Sequence, residues 1–289
     1  MSKPVPITLD DIVSRTSDLP TFSASALEVM RQADSATARA ESLAEIISQD
    51  QSLSARVLRL ANSAYYGLER KITNLPEGVV VLGTRTIKNL AMVAATYPWM
   101  SRPLRGYGLE PKQLWHHSFG TALGSQLIAK MSGKCDDQTA FTSGLLHDIG
   151  KVALCVWIDE KLRAIVYYAE REGITFDEAE RKILGYDHCE VGERLAENWN
   201  LPEDVMLAIR YHHSPSDCPT HNPLVDCVHI GGYVTMSMGF GLGGDGLHYR
   251  LDSGCFDRLQ IKLEDLDEIT DNFVLMYEKY ESMFLELAA

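Results

Sequence analysis

The sequence predicts an all-α protein, a multi-helix bundle with an N-terminal helical subdomain. Apolar residues recur at helical spacing through most of the chain. Ser42 with Glu45 and Thr175 with Glu178 have the spacing of capping boxes, which start helices. Before Pro103 no alternating apolar and polar run is bounded by hairpin turns, which argues against a sheet.

The N-terminal third is predicted to contain several short helices and one longer one. Residues 8–11 open a short helix, and Asp50 is placed to cap the helix that follows it. A single longer helix is expected from about residue 76 to 97. The two short helices joined near Asp50 resemble a helix-turn-helix, but the acidic chain lacks the basic surface of a DNA reader.

The remaining two thirds is predicted to alternate helices with glycine or proline stops. The expected helices cover about residues 113–131, 140–146, 175–184, 190–199, 203–210, 224–238 and 263–287, with a further helix or an extension after Lys151. Residues 239–246 are rich in glycine. A phosphate-binding turn would need a strand before it and a helix after it, so a surface loop is the expectation for this stretch.

Composition excludes several classes of protein. The chain has 289 residues, 45% of them hydrophobic and 23% charged, as in ordinary globular proteins. Its formal net charge of −13 disfavours general binding to nucleic acid or anionic lipid. Six scattered cysteines without a C-x-x-C pair are typical of reduced thiols. No secretion signal or transmembrane span is predicted, so a cytoplasmic location is expected.

One polar stretch interrupts an apolar segment. Residues 144–151 read Gly-Leu-Leu-His-Asp-Ile-Gly-Lys, which places His147 and Asp148 among apolar neighbours. A buried carboxylate needs a charged or hydrogen-bonding partner, and a divalent cation is one candidate. The alternative is a helix end whose polar groups are satisfied by backbone, with Gly150 as the stop.

Histidines cluster at the ends of predicted helices. Six of the nine lie in four local groups: His116 and His117, His147, His188, and His212 with His213. A single histidine is usually structural, but several near an aspartate favour a metal site. Imidazole and carboxylate ligands suit Fe, Mn, Zn or Ni.

These motifs resemble a known superfamily. The residues around His117, the His147-Asp148 motif, His188 and the pair His212-His213 resemble the HD superfamily of metal-dependent phosphohydrolases, whose nearest enzymatic branch is the HD-GYP phosphodiesterases of cyclic di-GMP. Residues 43–50, residues 58–67 (Leu-Arg-Leu-Ala-Asn-Ser-Ala-Tyr-Tyr-Gly) and residues 81–83 resemble the HDOD family of bacterial signalling output domains. The resemblance covers about residues 8–235.

The resemblance implies a division of the chain and a ligand set. Residues 1–110 would be the N-terminal helical part of the HDOD domain, 111–238 the HD-like helical core, and 239–289 the glycine-rich loop and C-terminal helix. One metal site would use His117, His147 and Asp148. A second would use Asp148, His188, His212 and His213, with Asp148 bridging the two sites. One or two divalent ions would be bound. Lys151 would neutralise a phosphate.

Two departures from the HD-GYP pattern concern function. Gly232 occupies the position of a later aspartate ligand, and residues 214–217 replace the GYP run. The resemblance therefore leaves two hypotheses. The first is a regulatory, non-catalytic signalling protein that contacts other signalling proteins, with or without a metal at an HD-type site. The second is a metal-dependent phosphohydrolase or cyclic-dinucleotide phosphodiesterase, with a phosphodiester or nucleotide as its ligand. The first is favoured because of Gly232 and because no separate general acid is visible. Neither DNA nor a membrane is expected as a partner.

Overall fold

The computed structural model describes residues 8–14, 24–33, 40–241, 243 and 249–288. Within these residues the all-α prediction is confirmed, because they form fifteen α-helices and no strand. The helices are α1 (Leu9–Ser14), α2 (Ala24–Ala33), α3 (Ala40–Ser48), α4 (Gln51–Ala61), α5 (Leu75–Leu82), α6 (Thr84–Met100), α7 (Gln113–Ser132), α8 (Asp137–Leu146), α9 (Ile149–Glu172), α10 (Phe176–Leu184), α11 (His188–Asn198), α12 (Glu203–Tyr211), α13 (Pro223–Ser237), α14 (Gly254–Leu259) and α15 (Leu266–Ala288).

The chain divides into two compact units. One comprises residues 1–20 and 99–270, and the other residues 21–98 and 271–289. In the second unit α3 packs against α2, α4 and α5. None of the described helices combines the length and the apolarity needed to cross a membrane.

In the first unit, α7 is the central helix. It packs on α8 and α13, while α9 packs on α10 and α11. At the contact with α13, a Cβ on Gly124 would lie 2.9 Å from Cα of Gly231. Glycine at both positions lets the two backbones approach closely, so α7 is buried along most of its length.

Several predicted helix boundaries are confirmed. Thr175 and Glu178 form the expected capping box of α10, and the Thr175 amide donates to Glu178 Oε2 at 3.0 Å. Asp50 caps α4 by accepting a hydrogen bond from the Leu53 amide at 2.9 Å. Part of the glycine-rich loop (residues 242 and 244–246) lies outside the described residues.

Other boundaries differ from the predictions. The helix expected over residues 76–97 is two helices, because Gly83 adopts a φ of +84° and ends α5. The capping box at Ser42 is wrong, since Ser42 is already the third residue of α3, after the good helix formers Ala40 and Glu41. Helix α14 was not predicted, because six residues are too few to show a helical period.

The cap of α4 provides a first prediction. Replacing Asp50 with alanine leaves the Leu53 amide without its side-chain acceptor and should lower the free energy of unfolding by about 1 kcal/mol. Urea denaturation monitored by circular dichroism measures the change. Asp50→Asn is the matched control, because asparagine caps as well as aspartate; equal stability of the alanine variant would contradict the role of the cap.

Candidate metal centre

Asp148 lies between the end of α8 and the start of α9, at the centre of a buried polar cluster. Its side chain is fully buried. Oδ2 lies 3.3 Å from His147 Nε2, 3.5 Å from His117 Nε2 and 2.7 Å from the Lys151 ammonium. His117 comes from the first turns of α7, so residues about thirty positions apart meet at one carboxylate oxygen.

The second oxygen of Asp148 faces another group of histidines. Oδ1 lies 3.4 Å from His188 Nε2 and 3.6 Å from His212 Nε2. His213 Nε2 is 3.1 Å from His188 Nε2. His188 is the first residue of α11, and the pair His212-His213 follows the end of α12. The five histidines selected from the sequence as candidate ligands thus lie around the sixth candidate, Asp148, each of whose oxygens faces one group.

The backbone fixes which nitrogen each of two imidazoles presents. His147 Nδ1 lies 2.7 Å from the Gly144 carbonyl oxygen, and His212 Nδ1 lies 2.9 Å from that of Ile209. A carbonyl oxygen only accepts, so each Nδ1 carries a proton, and in the neutral ring Nε2 is then the nitrogen that presents a lone pair. Among the described residues, His212 Nε2 and Asp148 Oδ1 have no hydrogen-bond partner.

This arrangement fits a cation. His212 Nε2 and Asp148 Oδ1 face each other at 3.6 Å, and such buried polar atoms are rarely left unsatisfied. Side chains that share a transition-metal ion present the same kinds of atom toward one point. The cluster also forms two groups whose potential ligand atoms lie within 4.8 Å of one another: His117, His147 and Asp148; and His188, Cys189, His212 and His213. These buried groups are compatible with a metal site.

Glu180 on α10 supports His188 from behind. Its Oε2 accepts from the His188 backbone amide at 2.9 Å and lies 2.6 Å from His188 Nδ1, while Oε1 accepts from the Tyr107 hydroxyl at 2.6 Å. Glu180 and Tyr107 are buried. A carboxylate behind a histidine orients the ring and makes its other nitrogen a stronger ligand.

The pKa shifts follow from burial and neighbouring charge. Burial disfavours the charged form of Asp148, but His147 and Lys151 outweigh burial and hold its pKa well below the usual value. Burial, reinforced by His147, lowers the pKa of His212 well below normal, and burial with His212 lowers that of His213. An ionised Asp148 beside neutral His212 and His213 is the protonation state in which these groups bind metal. Burial lowers the pKa of His188, but the charge of Glu180 outweighs burial and raises it.

A cavity opens beside the cluster. Its volume is about 210 Å³, and its wall includes both ligand-type and charged side chains. Three candidate ligands (His117, His188 and His213) line it together with Lys151, Arg181, Arg250, Asp177, Asp217 and Tyr249. Small molecules that enter this cavity would therefore meet the cluster directly.

Gly232, which the family resemblance aligns with an aspartate ligand, lies beside Tyr249. A Cβ on Gly232 would lie 3.4 Å from the Tyr249 hydroxyl. That hydroxyl lies 3.2 Å from His229 Nδ1 and donates to the His229 carbonyl oxygen, also at 3.2 Å. Asp226 forms an ion pair with Arg258 at 2.6 Å and His229 Nδ1 lies 2.7 Å from the His212 carbonyl oxygen, so both already have partners.

Four residues of the site were not identified from the sequence. Glu180 and Tyr107 support His188, Tyr249 lines the cavity, and Cys189 Sγ lies 3.6 Å from His188 Nε2. Of these, only Cys189 is adjacent to a candidate ligand in the chain, which was a usable signal. His116, although next to His117, is not among the groups that surround Asp148.

Comparison with known proteins finds a matching family and similar solved structures. The family model of the HDOD domain matches residues 19–215. The crystal structure of an HDOD domain protein of unknown function from Geobacter sulfurreducens superimposes with a TM-score of 0.77 at 26% identity, covering 95% of this chain and 97% of that one. A protein from Marinobacter aquaeolei VT8, provisionally described as acting in signal transduction, has a TM-score of 0.80 at 23% identity, covering 97% of this chain and 65% of that one.

A curated relative is longer than this chain. An uncharacterized protein of Treponema pallidum (strain Nichols) is 29% identical over 222 residues, which are 75% of this chain and 42% of that protein. This chain thus spans less than half the length of that relative.

Proposed function

The chain belongs to the HDOD family, and from that premise we propose that it is a regulatory signal-transduction domain that has retained a metal centre of the HD type. The observation that supports the proposal is the arrangement of candidate ligands around the two oxygens of Asp148, with 3.3–3.6 Å between ligand atoms. In this proposal His117 and His147 bind metal on the Oδ2 side of Asp148. His188, His212 and His213 bind metal on the Oδ1 side.

A second function, phosphoester hydrolysis, is favoured by the cavity. A closed structural site would leave no room beside the ligands, whereas this cluster borders a space of about 210 Å³. Bound divalent ions would supply Lewis acidity toward a phosphoryl oxygen. Lys151, which lines the cavity and pairs with Asp148, would neutralise a phosphate there, and the Tyr249 hydroxyl would offer a proton donor at the wall.

The residues around the cavity also support placing regulation ahead of phosphoester hydrolysis. Gly232 and the Tyr249 hydroxyl occupy the place of a further carboxylate ligand. The Lys151 ammonium is engaged by Asp148 at 2.7 Å and the Tyr249 hydroxyl by backbone carbonyls, so neither is uncommitted. We therefore propose regulation through bound metal and a phosphorylated ligand first, and turnover second. Signalling proteins are the proposed partners.

Elemental analysis of the purified, tag-free protein tests the metal proposal, and hydrolysis of bis(p-nitrophenyl) phosphate tests turnover. Retained Fe, Mn, Zn or Ni without hydrolysis above that of an Asp148→Asn variant is the result expected of a regulatory domain. Hydrolysis that requires Asp148 would favour the phosphohydrolase. Protein that neither retains nor binds added metal would overturn both proposals and leave the histidines with a structural role.

Substitution of Glu180 should weaken metal binding, and substitutions of Tyr107 and Glu172 should have progressively smaller effects. Glu180→Gln removes the charge behind His188 and should weaken binding of Zn²⁺ or Mn²⁺ by about 10-fold to 100-fold. Isothermal titration calorimetry of the metal-free protein measures the affinity. Tyr107→Phe, which removes only a partner of Glu180, should have a smaller effect, and Glu172→Gln on the exposed end of α9 should have none. Equal affinities in Glu180→Gln and wild type would show that Glu180 does not support a metal ligand.

A further inference from the structure

Two cysteines far apart in the sequence have their sulfur atoms in contact. Cys135 lies in the short connection between α7 and α8, and Cys227 lies on α13, 92 positions later. Their Sγ atoms are 3.7 Å apart, and both are free thiols. Forming a disulfide here would shorten the distance between the two Sγ atoms to about 2 Å, which is a small movement for a residue in a connection between helices.

The two thiols differ in accessibility. Cys227 is fully buried, whereas Cys135 is partly exposed and lines an open surface cavity of about 590 Å³. A small oxidant in solvent can therefore reach Cys135 and not Cys227. This is the arrangement of an attacking cysteine next to a resolving one.

The contact between the two sulfur atoms also makes the reactivities of the two thiols differ. The hydrogen bond with Cys227 lowers the pKa of the Cys135 thiol, against the opposing effects of burial and of Asp136. The same contact, together with burial, raises the pKa of Cys227 well above normal. The accessible cysteine is thus the one with the larger thiolate fraction, and the thiolate is the reactive form.

We propose that Cys135 and Cys227 are a redox-sensitive pair that forms an intramolecular disulfide when the protein meets a peroxide. The Cys135 sulfur attacks one peroxide oxygen, the O–O bond breaks, and water leaves, which gives a sulfenic acid. The Cys227 sulfur then attacks the sulfenic sulfur, the S–O bond breaks, and the departing hydroxide takes the Cys227 proton to form a second water. Two thiols are oxidised and one hydrogen peroxide is reduced to two waters.

The disulfide would connect the start of α8 to α13. Asp136, next to Cys135, caps α8 by accepting from the amides of Gln138 and Thr139. The cross-link would close a long loop of the chain, so oxidation should raise the midpoint of thermal unfolding. This inference does not depend on whether the Asp148 cluster binds metal.

Thiol counting after oxidation tests the pair. The full chain, reduced and then exposed to hydrogen peroxide, is quenched, alkylated in denaturant and measured by intact mass spectrometry and peptide mapping. Four of the six cysteines should remain alkylatable, one peptide should link Cys135 to Cys227, and dithiothreitol should restore all six. Non-reducing electrophoresis should show a monomer.

Matched variants make the result specific. Cys135→Ser should keep the remaining five thiols, and Cys218→Ser, which removes another partly exposed cysteine, should still form the link. Cys227→Ala, which places no hydroxyl at this buried position, should also form no intramolecular link. Retention of all six thiols, a different pairing, a cross-linked dimer, or stable over-oxidation of Cys135 in the wild type would each overturn the proposal.

Discussion

Replacing Asp148 with asparagine should remove bound metal from both halves of the cluster at once. The two oxygens of this one carboxylate face different groups of histidines, at 3.3–3.5 Å on one side and 3.4–3.6 Å on the other. Because loss of an outer partner alone costs about 10-fold to 100-fold, we expect loss of a shared direct ligand to weaken metal binding by more than about 100-fold. Elemental analysis of protein purified in parallel with wild type measures the loss.

The same substitution should destabilise the metal-free protein. Lys151 is almost fully buried, and its ammonium contacts Asp148 Oδ2 at 2.7 Å. Asparagine keeps the shape of the side chain but removes the negative charge that this ammonium contacts. Removing one partner of a buried ion pair costs about 3–5 kcal/mol, which urea denaturation of metal-free samples can measure.

A double variant separates the two effects. Asp148→Asn with Lys151→Met contains no uncompensated buried charge at this pair, so most of the lost stability should return while metal binding does not. Asp257→Asn, an exposed aspartate on α14, is the control and should change neither quantity. If the single variant kept wild-type metal content, Asp148 would not be a ligand; if the double variant bound metal, the charge of the cluster rather than Asp148 itself would be responsible.

Local patterns in the sequence identified the candidate ligands but not their support. His147 and Asp148 stand out because they interrupt an apolar run, and the other histidines stand out as pairs at helix ends. Glu180 does not, since one carboxylate on an amphipathic helix looks like any exposed acid until α10 packs against α9. Tyr249 is equally hidden, because it reaches the His212 carbonyl oxygen across 37 positions of chain.

The break between α5 and α6 shows the same limit of prediction from sequence. The helix period continues across Gly83, so only the backbone conformation of that glycine separates α5 from α6. In contrast, Asp50 and Thr175 act through amides three positions away, and such local chemistry is visible in the sequence. Contacts between distant segments could therefore be predicted only for the candidate ligands, where the family resemblance supplied them.

Gly150 shows how one such contact positions the site. A Cβ at this position would lie 1.9 Å from the His188 carbonyl oxygen and 2.8 Å from the Gly192 amide nitrogen. Both atoms belong to the backbone of α11, so they cannot turn aside as the end of a side chain could. Gly150 therefore permits the close approach of α9 and α11 that brings Asp148, two residues before it, near His188.

Gly150→Ala should consequently cost about 3 kcal/mol or more, the upper range for overpacking, although alanine is intrinsically better than glycine in a helix. Gly78→Ala on α5 is the matched control, because among the described residues its added Cβ would meet only the Ile87 and Ile72 side chains, at 3.4 and 3.5 Å. The control should change stability by at most about 1 kcal/mol, in the stabilising direction. Urea denaturation gives both values, and metal analysis of the folded fraction should show that Gly150→Ala also loses metal. Equal stabilities of the two variants would mean that α9 and α11 can separate without cost, and the positions of Asp148 and His188 would then need another explanation.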